Sequence, residues 1–283
     1  MRTTSKITAA VAATAALTLG LSACGTASDP QDSPGATGEG PLTVAASPTP
    51  HAAILEYVRD HLAEKEGLDL KVKVVNDYVL PNTATESGDV DANYFQHKPY
   101  LDDFQAKNGT HITPVVNVHL EPLGLYAETA DGLEDIKAGH TIALPNDTTN
   151  GGRALQLLDA HGLIELAEGA GQDATLADIA DRKGLEFKEL EAATVPRALG
   201  EVDAAVINGN YALEAGLAPA EDALVLEEAE GNPYANFLAV KEGNEDDPRV
   251  VKLAQLLTSD EVRAYIEKEY GGSVVPASGT AGD

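Results

Sequence analysis

The segment Asn150-Gly151-Gly152-Arg153 contains the residues with the clearest capacity for chemistry. Its two glycines let the backbone approach a guest closely, and the helix predicted to follow them presents free N–H groups and a positive dipole end. Arg153 adds a planar guanidinium that can hold a carboxylate through two parallel hydrogen bonds. A capping turn whose arginine pairs with a surface acid explains these residues equally well. Asn208, which an internal repeat places at a facing strand end, favours a carboxylate site.

A second group consists of aromatic and histidine side chains at the ends of two neighbouring predicted strands. The chain has 9 Tyr, 4 Phe and no Trp, yet the group comprises Tyr78, Phe95, His97 and Tyr100. As core residues they would need partners for their hydroxyl and imidazole groups. As a cleft wall they would hold an apolar or thioether side chain. The residues alone leave both interpretations open.

The residue pattern gives little support for a metal site or a catalytic centre. Three imidazoles and a carboxylate can bind zinc, and the candidates are His51, His97, His119 and Glu121. They lack the short His-x-His or His-x-x-x-His spacing that would support such a site. The sequence also has no Gly-x-Ser-x-Gly elbow, Walker loop or HExxH motif. We therefore predict a binding protein without metal, cofactor or enzymatic activity.

Two runs of alternating strands and helices are predicted to position these groups. The first comprises strands at 42–46, 68–75 and 90–96 with helices at 51–65 and 82–87. The second comprises strands at 141–145, 185–190 and 202–207 with helices at 152–161 and 195–199. Both have the β-α-β-α-β order of a parallel sheet covered by helices. The fold class is therefore α/β with two lobes, and ligands of such sheets bind beyond the carboxyl ends of the strands.

An internal match supports duplication of this architecture. Residues 88–96 align without gaps to residues 200–208, and five of nine positions are identical or differ only as Asp for Glu. Residues 164–184 have no counterpart in the first run and are predicted to form a helical insertion. Each aligned segment covers the last strand of its β-α-β-α-β run. Gln96 and Asn208 are therefore expected at equivalent strand ends.

The N-terminal residues are typical of an export signal. Arg2 and Lys6 precede the apolar run 7–20, and Leu21-Ser22-Ala23-Cys24 has the form of a lipobox. Cys24, the only cysteine, is therefore predicted to become a lipid-modified N-terminus after removal of residues 1–23. Residues 24–41, rich in Gly, Ser, Asp and Pro, are predicted to be a flexible tether. A soluble body anchored to the extracytoplasmic face of a membrane is expected.

The charge balance excludes further functions. The chain has 19 Lys+Arg against 46 Asp+Glu, a net charge of -27. Nucleic-acid affinity depends on Lys and Arg that neutralise phosphates, so we predict no nucleic-acid partner and no electrostatic docking on anionic lipid. The acidic runs 227–230 and 242–247 are expected to be solvated faces and loops.

The chain from the lipobox to about Ile266 resembles the NlpA family of methionine-binding lipoproteins, which feed ABC importers. The motifs that carry this resemblance are Asp77-Tyr78-Val79-Leu80-Pro81-Asn82, Phe95-Gln96-His97, Pro99-Tyr100-Leu101, Val118-His119-Leu120-Glu121-Pro122, Asn150-Gly151-Gly152-Arg153, Ile207-Asn208-Gly209-Asn210 and Pro233-Tyr234-Ala235-Asn236. They are long and occur in the family's order. The resemblance implies the two-lobed type II fold of periplasmic binding proteins, with residues 42–122 and 238–283 in lobe 1 and residues 123–237 in lobe 2.

The resemblance also implies roles for individual residues. The residues implied to enclose the methionine side chain are Tyr78, Phe95, His97 and Tyr100, with His119 beside them. Arg153 and Asn208 are implied to hold the carboxylate, and Asn236 helps to bind the polar end. The implied partners are L-methionine, an ABC permease and its ATPase. The alternative ligands are D-methionine, a Gly-Met dipeptide or another small amino acid. A further alternative is a zinc-binding receptor of the same fold.

Overall fold

The computed structural model describes residue 38 and residues 40–279, so the predicted signal and Cys24 lie outside the described residues. The helices are α1 (Ala53–His61), α2 (Leu80–Ser87), α3 (Lys98–Asn108), α4 (Thr148–Ala160), α5 (Val195–Ala198), α6 (Gly209–Glu214), α7 (Pro219–Asp222), α8 (Pro248–Leu257) and α9 (Asp260–Tyr270). The strands are β1 (Leu42–Ala46), β2 (Leu70–Val74), β3 (Ala92–His97), β4 (Ile112–Leu120), β5 (Gly124–Tyr126), β6 (Thr141–Pro145), β7 (Glu165–Leu166), β8 (Ile179–Asp181), β9 (Glu186–Leu190), β10 (Ala204–Ile207), β11 (Val225–Leu226), β12 (Asn236–Lys241) and β13 (Val275–Pro276). Within the described part of the chain, no helix combines the length and apolar character that a membrane span requires.

The first sheet has six strands in the order β13-β4-β12-β3-β1-β2. Strand β1 pairs in parallel with β2 and β3, whereas β12 is antiparallel to β3 and β4. Leu42 and Val44 of β1 pack in one apolar core with Ile54 of α1 and with Leu253 and Ile266 of the C-terminal helices. The last two helices thus complete the core begun by the first strand.

The second sheet has five strands in the order β11-β5-β10-β6-β9. Strand β6 is parallel to β9 and β10, and β5 is antiparallel to β10 and β11. Ile142 and Leu144 of β6 pack against Leu155 and Leu158 of α4 in a separate core. This packing fixes the helix that carries Arg153.

The internal repeat has a structural counterpart in the two sheets. Asp91 accepts a hydrogen bond from the backbone N–H of Thr43 at 2.7 Å, and Asp203 accepts one from Thr141 at 2.8 Å. The backbone N–H groups of the same two aspartates donate to Thr43 and Thr141 in return. Asp91 therefore joins the start of β3 to β1, and Asp203 joins the start of β10 to β6, so each aspartate links the last strand of its repeated run to the first.

The chain passes from one sheet to the other twice. Strand β4 belongs to the first sheet and β5 to the second, and the chain returns between β11 and β12. We call residues 121–123 and 227–235 the two crossover segments. Both approach the site described below.

Three predicted elements differ clearly from the structure. The helix predicted at 51–65 ends at His61, because Leu62 leaves the helical conformation and a 3-10 turn follows at Ala63–Glu66. Residues 164–184 were expected to be helical but form the small antiparallel ribbon β7–β8 with one short 3-10 turn. Gly169 adopts a positive φ, and a capping box at Thr175 and Asp178 starts the short turn, so a continuous helix is interrupted. Helix α4 begins at Thr148 rather than Gly152 because Asp147 caps it by accepting a hydrogen bond from the N–H of Asn150.

Candidate functional site

A narrow cavity is lined by residues that follow strands of both sheets, and the empty space within and in front of it, open solvent included, amounts to about 340 Å³. Seven of the eight residues predicted for the ligand site line it, namely Tyr78, Phe95, His97, Tyr100, Arg153, Asn208 and Asn236. The lining residues that were not predicted as ligand contacts are Gln96, Glu121, Asn150, Gly209 and Asn210. His119 is fully buried and lies behind Glu121 rather than in the cavity wall.

One end of the cavity is aromatic. The ring centroid of Tyr78 lies 6.0 Å from that of Phe95 and 5.6 Å from that of Tyr100. The hydroxyl of Tyr100 donates to the backbone oxygen of Tyr78, and that of Tyr78 donates to Asn210 Oδ1 at 2.6 Å. Since both hydroxyls are bonded, the ring faces remain to form an apolar surface. Burial raises the pKa of Tyr78 and of Tyr100, so both stay neutral.

His97 joins the aromatic end to the polar end as a neutral imidazole. It caps α3, where its Nδ1 accepts a hydrogen bond from the N–H of Tyr100. Nε2 must therefore carry the proton, and it donates to Asn150 Oδ1 at 3.1 Å. Burial and the charge of Arg153 lower the pKa of His97 to about 3.

Three asparagines form the polar end. Asn208 Nδ2 donates to Asn150 Oδ1 at 3.0 Å, and Asn150 Nδ2 donates to Asp147. Within residues 40–279, Asn208 Oδ1 and Asn210 Nδ2 are buried without a hydrogen-bond partner. Leaving a buried polar atom unpaired is costly, so this end is prepared for a guest that brings both a donor and an acceptor.

Arg153 is held on several sides. Its Nε and Nη2 donate to the two carboxylate oxygens of Glu227 at 2.7 and 2.5 Å, and Nη2 also donates to the backbone oxygen of Glu121. The ring of Tyr234 covers the guanidinium at 4.1 Å. The expectation that the whole fork of Arg153 is free for a ligand carboxylate is therefore corrected. Among the described residues, Nη1 of Arg153 takes no part in these hydrogen bonds, so it is the nitrogen that remains for a guest.

The glycine pair serves packing rather than close approach to a ligand. A Cβ on Gly152 would lie 2.1 Å from the backbone oxygen of Gln172, and one on Gly151 would lie 3.0 Å from that of Pro145. The insertion 164–184 therefore sits directly against α4. The Asp147 cap also uses an N–H that was expected to be free.

The cavity floor contains a buried carboxylate, Glu121. Its Oε1 lies 3.2 Å from His51 Nε2 and 2.7 Å from His119 Nε2. His119 Nδ1 is bonded to the hydroxyl of Tyr94, and His51 Nε2 also donates to Asn236 Oδ1 at 3.1 Å. Burial raises the pKa of Glu121, whereas His51 and a hydrogen bond from the backbone of Asn210 oppose that rise.

The histidines of the floor are neutral donors to Glu121. Burial lowers the pKa of His51 to about 4 and that of His119 to about 3. Of the four residues weighed as zinc ligands, His97 is bonded to Asn150 instead. If His51 Nε2 bound a cation, its Nδ1 would carry the proton, and Nδ1 is buried with no partner among the described residues. Metal-binding imidazoles normally have a partner for that proton, so the donor set fits a hydrogen-bonded cluster better than a metal site.

Some of the site residues that were not predicted from the sequence could have been found there, and others could not. Asn150 and Asn210 belong to motifs that were already singled out, and Glu121 follows His119 by two positions. Glu227 was assigned to a solvated acidic run, yet its side chain is only 12% exposed and pairs with Arg153. Nothing in the local sequence distinguishes Glu227 from Glu228 beside it.

Two sheets joined by two crossovers, with a cavity lined from both, define a two-lobed substrate-binding protein of the periplasmic type. A nutrient binding protein from Burkholderia cenocepacia, solved bound to methionine, has the same fold with a TM-score of 0.81. It is 44% identical in sequence, and the match covers 83% of this chain and 99% of that one. A further solved structure, the methionine binding protein MetQ, gives a TM-score of 0.81 at 38% identity over 84% of this chain and 98% of that one.

The chain belongs to the NlpA lipoprotein family, whose profile matches residues 42–278. The methionine-binding lipoprotein MetQ of Bacillus subtilis is 43% identical over 249 residues, which are 86% of this chain and 90% of that protein. The D-methionine-binding lipoprotein MetQ of Escherichia coli is 40% identical over 225 residues, 78% of this chain and 83% of that protein. The family expected from the sequence motifs is thereby confirmed. These relatives are named as binding proteins.

Proposed function

We propose that this chain is a lipid-anchored, extracytoplasmic substrate-binding protein that captures methionine and delivers it to an ABC importer. The observation that carries the proposal is one cavity with an aromatic wall at one end and Arg153 beside unpaired asparagine atoms at the other. A free amino acid with an apolar side chain supplies complementary groups at both ends. The names of the relatives specify methionine as that amino acid.

Each part of methionine has a matching group in the cavity. The thioether packs against Tyr78, Phe95 and Tyr100, where sulfur–aromatic contact stabilises it. The carboxylate accepts hydrogen bonds from Arg153 Nη1 and Asn210 Nδ2. The ammonium donates to Glu121 and to Asn208 Oδ1, the acceptor that has no partner in the described protein. This departs from the carboxylate role expected of Asn208, because its Nδ2 donor is already bonded to Asn150.

Binding is proposed to hold the two lobes together. The proposed lobes are residues 42–122 with 236–283, and residues 123–235. The boundary falls two residues before the expected one because β12 of the first sheet begins at Asn236. Tyr78 bonds to Asn210, and His97 bonds to Asn150, so hydrogen bonds already join the lobes at the cavity. A ligand that contacts both walls adds to these bonds and shifts the population toward the closed form, which then docks on the permease.

The anchor is proposed to be a lipid on Cys24. Membership of a lipoprotein family and the lipobox that ends at Cys24 support it. In Cys24→Ser we expect palmitate labelling to be lost. Labelling of Cys24→Ser at the wild-type level would contradict a lipid anchor at this residue. Membrane retention alone does not decide the question, because an uncleaved apolar signal also holds the chain in the membrane.

A titration of the full chain, purified in detergent and refolded to remove carried-over ligand, tests the function. L-Methionine, D-methionine, Gly-Met, the other amino acids and zinc are compared by thermal shift. A specific ligand at 100 times Kd is expected to add about 2.7 kcal/mol to the free energy of unfolding. We expect the largest shift with methionine. A shift with zinc alone, or with no ligand, would contradict the proposal.

A further inference from the structure

Among the described residues that line the cavity, Arg153 carries the single guanidinium, and this group is already paired with Glu227. The pair affects which ligands the cavity selects. The Arg153 side chain is 4% exposed and that of Glu227 12%, so water screens their interaction little. Both carboxylate oxygens of Glu227 take part, at 2.7 and 2.5 Å. Two charge-assisted bonds of this geometry are stronger and more directional than a surface ion pair.

Glu227 is itself fixed by bonds that do not involve Arg153. Its Oε2 accepts from the backbone N–H of Leu123 at 2.9 Å and from Asn232 Nδ2 at 3.3 Å. Its own backbone N–H donates to the Leu123 oxygen at 3.0 Å. Leu123 and Asn232 belong to the two different crossover segments. The carboxylate is therefore tied to both crossovers and cannot swing away without breaking several bonds.

The charges near the cavity are unequal in number. Arg153 is the cation, while Glu121 and Glu227 are carboxylates, and His51, His97 and His119 are kept neutral by burial. Asp147, at the start of α4, is half-buried, and its partial removal from water raises its pKa. A ligand that carries only a carboxylate meets a compensated arginine and an opposing Glu121. A zwitterion places its carboxylate at Arg153 and its ammonium beside Glu121. Each charged end of the ligand then lies beside a protein group of opposite charge.

We propose that Glu227 is a positioning and specificity-determining residue that holds Arg153 in place and cancels its charge, so that the cavity selects a zwitterionic amino acid over a simple carboxylate. This inference rests on the proposed function. Position and charge are separate contributions. Position decides whether Nη1 of Arg153 reaches the ligand, and charge decides how strongly a ligand without an ammonium is rejected.

The test compares L-methionine with 4-(methylthio)butanoate, in which hydrogen replaces the ammonium. Dissociation constants are measured by calorimetry on the full chain for the wild type, Glu227→Gln and Glu228→Gln. Glu228 is the matched control, since it is the neighbouring acid and its side chain is exposed. In Glu227→Gln we expect the preference for methionine over the analogue to fall at least about tenfold, equivalent to about 1.4 kcal/mol. Glu228→Gln should keep the wild-type preference.

A purely structural role predicts a different result. It would weaken both ligands equally and lower the melting temperature without changing their ratio, which would overturn the proposal. If Glu227→Gln does not fold, Glu227→Asp decides the question, because it keeps the charge on a shorter side chain. Weaker binding of both ligands with an unchanged preference supports the proposal, and a lost preference overturns it.

The same measurements separate this inference from the proposed function. Wild-type protein that does not bind methionine contradicts the function and the role of Glu227 together. Wild-type protein that binds methionine, with a ligand preference that Glu227→Gln leaves unchanged, contradicts only the role of Glu227.

Discussion

Strands β3 and β10 are equivalent strands of the two repeated β-α-β-α-β runs. The side chains at their ends nevertheless differ in chemistry, because one strand gives the cavity aromatic groups and the other a polar amide. Asp91 and Asp203 make the same hydrogen bonds at the starts of these strands. Beyond that point β3 leads to Phe95 and His97, whereas β10 leads to Asn208. The scaffold is thus repeated while the functional side chains are not.

The two walls also differ in what they leave unsatisfied. On the first-lobe side, every polar side-chain atom of Tyr78, Tyr100 and His97 has a hydrogen-bond partner, and two of these partners, Asn150 and Asn210, belong to the second lobe. On the second-lobe side, Asn208 Oδ1 and Asn210 Nδ2 have none within the described chain. The first wall therefore contributes shape and apolar surface, and the second contributes charge and hydrogen bonds. Changes to the second wall are expected to cost more affinity.

The largest effect is expected from Arg153→Gln. Truncating one partner of a buried charged contact costs about 2–5 kcal/mol, roughly 30-fold to several-thousand-fold in Kd. Calorimetry with L-methionine measures the loss, and Arg197→Gln, an exposed arginine of the same lobe, is the control. Near-normal binding by Arg153→Gln would show that the polar wall does not hold the carboxylate.

The next effect concerns Glu121, which lies between the two walls. Burial raises its pKa, so it takes up a proton at a higher pH than an ordinary glutamate does. Because the ammonium requires the ionised form, methionine affinity should fall as pH decreases toward that raised pKa. Glu121→Gln should bind at least about tenfold more weakly at pH 8 and give a flatter profile between pH 8 and 5. An equally steep profile in the variant would assign the titration to another group.

Acid is expected to destabilise the first lobe of the ligand-free protein. The folded pKa values of His51, His97 and His119 are lowered to about 4, 3 and 3. Their contribution to stability is fully present above about pH 6.5, the ordinary pKa of an imidazole, and is lost as pH falls toward these values because the unfolded chain then binds more protons than the folded one. The pKa of Glu121 is raised on folding, so this group makes the folded protein more stable as pH falls. Its contribution therefore offsets part of the loss caused by the histidines.

Hydrogen exchange at pH 7.5 and pH 5 locates that destabilisation. We expect protection to fall first in β3 and β4 and later in β6 and α4. His161→Asn, at an exposed position after α4, should leave the difference unchanged. Equal loss of protection in both sheets would contradict an origin in the buried imidazoles.

The smallest effect is expected at the aromatic wall. Phe95→Leu keeps an apolar side chain but removes the sulfur–aromatic contact, which is worth about 0.3–1.5 kcal/mol. Methionine should bind roughly two- to twelve-fold more weakly, and the loss should be smaller for norleucine, which has a methylene in place of sulfur. Phe104→Leu is the control, since Phe104 packs against Tyr100 outside the cavity lining. A loss as large as that of Arg153→Gln would contradict the comparison of the two walls.

Much of the fold and most of the lining followed from local patterns. The strands β1 and β6 agree with their predicted bounds, and α2 ends at Ser87 as predicted. The insertion 164–184 was predicted incorrectly because alanine content favoured a helix that its glycines and capping box interrupt. His119 was placed beside the ligand site, but its ring faces Glu121 and Tyr94 behind the cavity wall.

The sequence by itself determined which residues stand at the strand ends, because strand and helix periodicity and capping act over a few positions. It also singled out Arg153 as a group able to hold a carboxylate, while pairing with an acidic side chain explained the same residues equally well. Only the tertiary structure decided that Arg153 is shared with Glu227, 74 residues away. Pairing of buried charges depends on which groups lose water together when distant segments pack, and no local pattern records that.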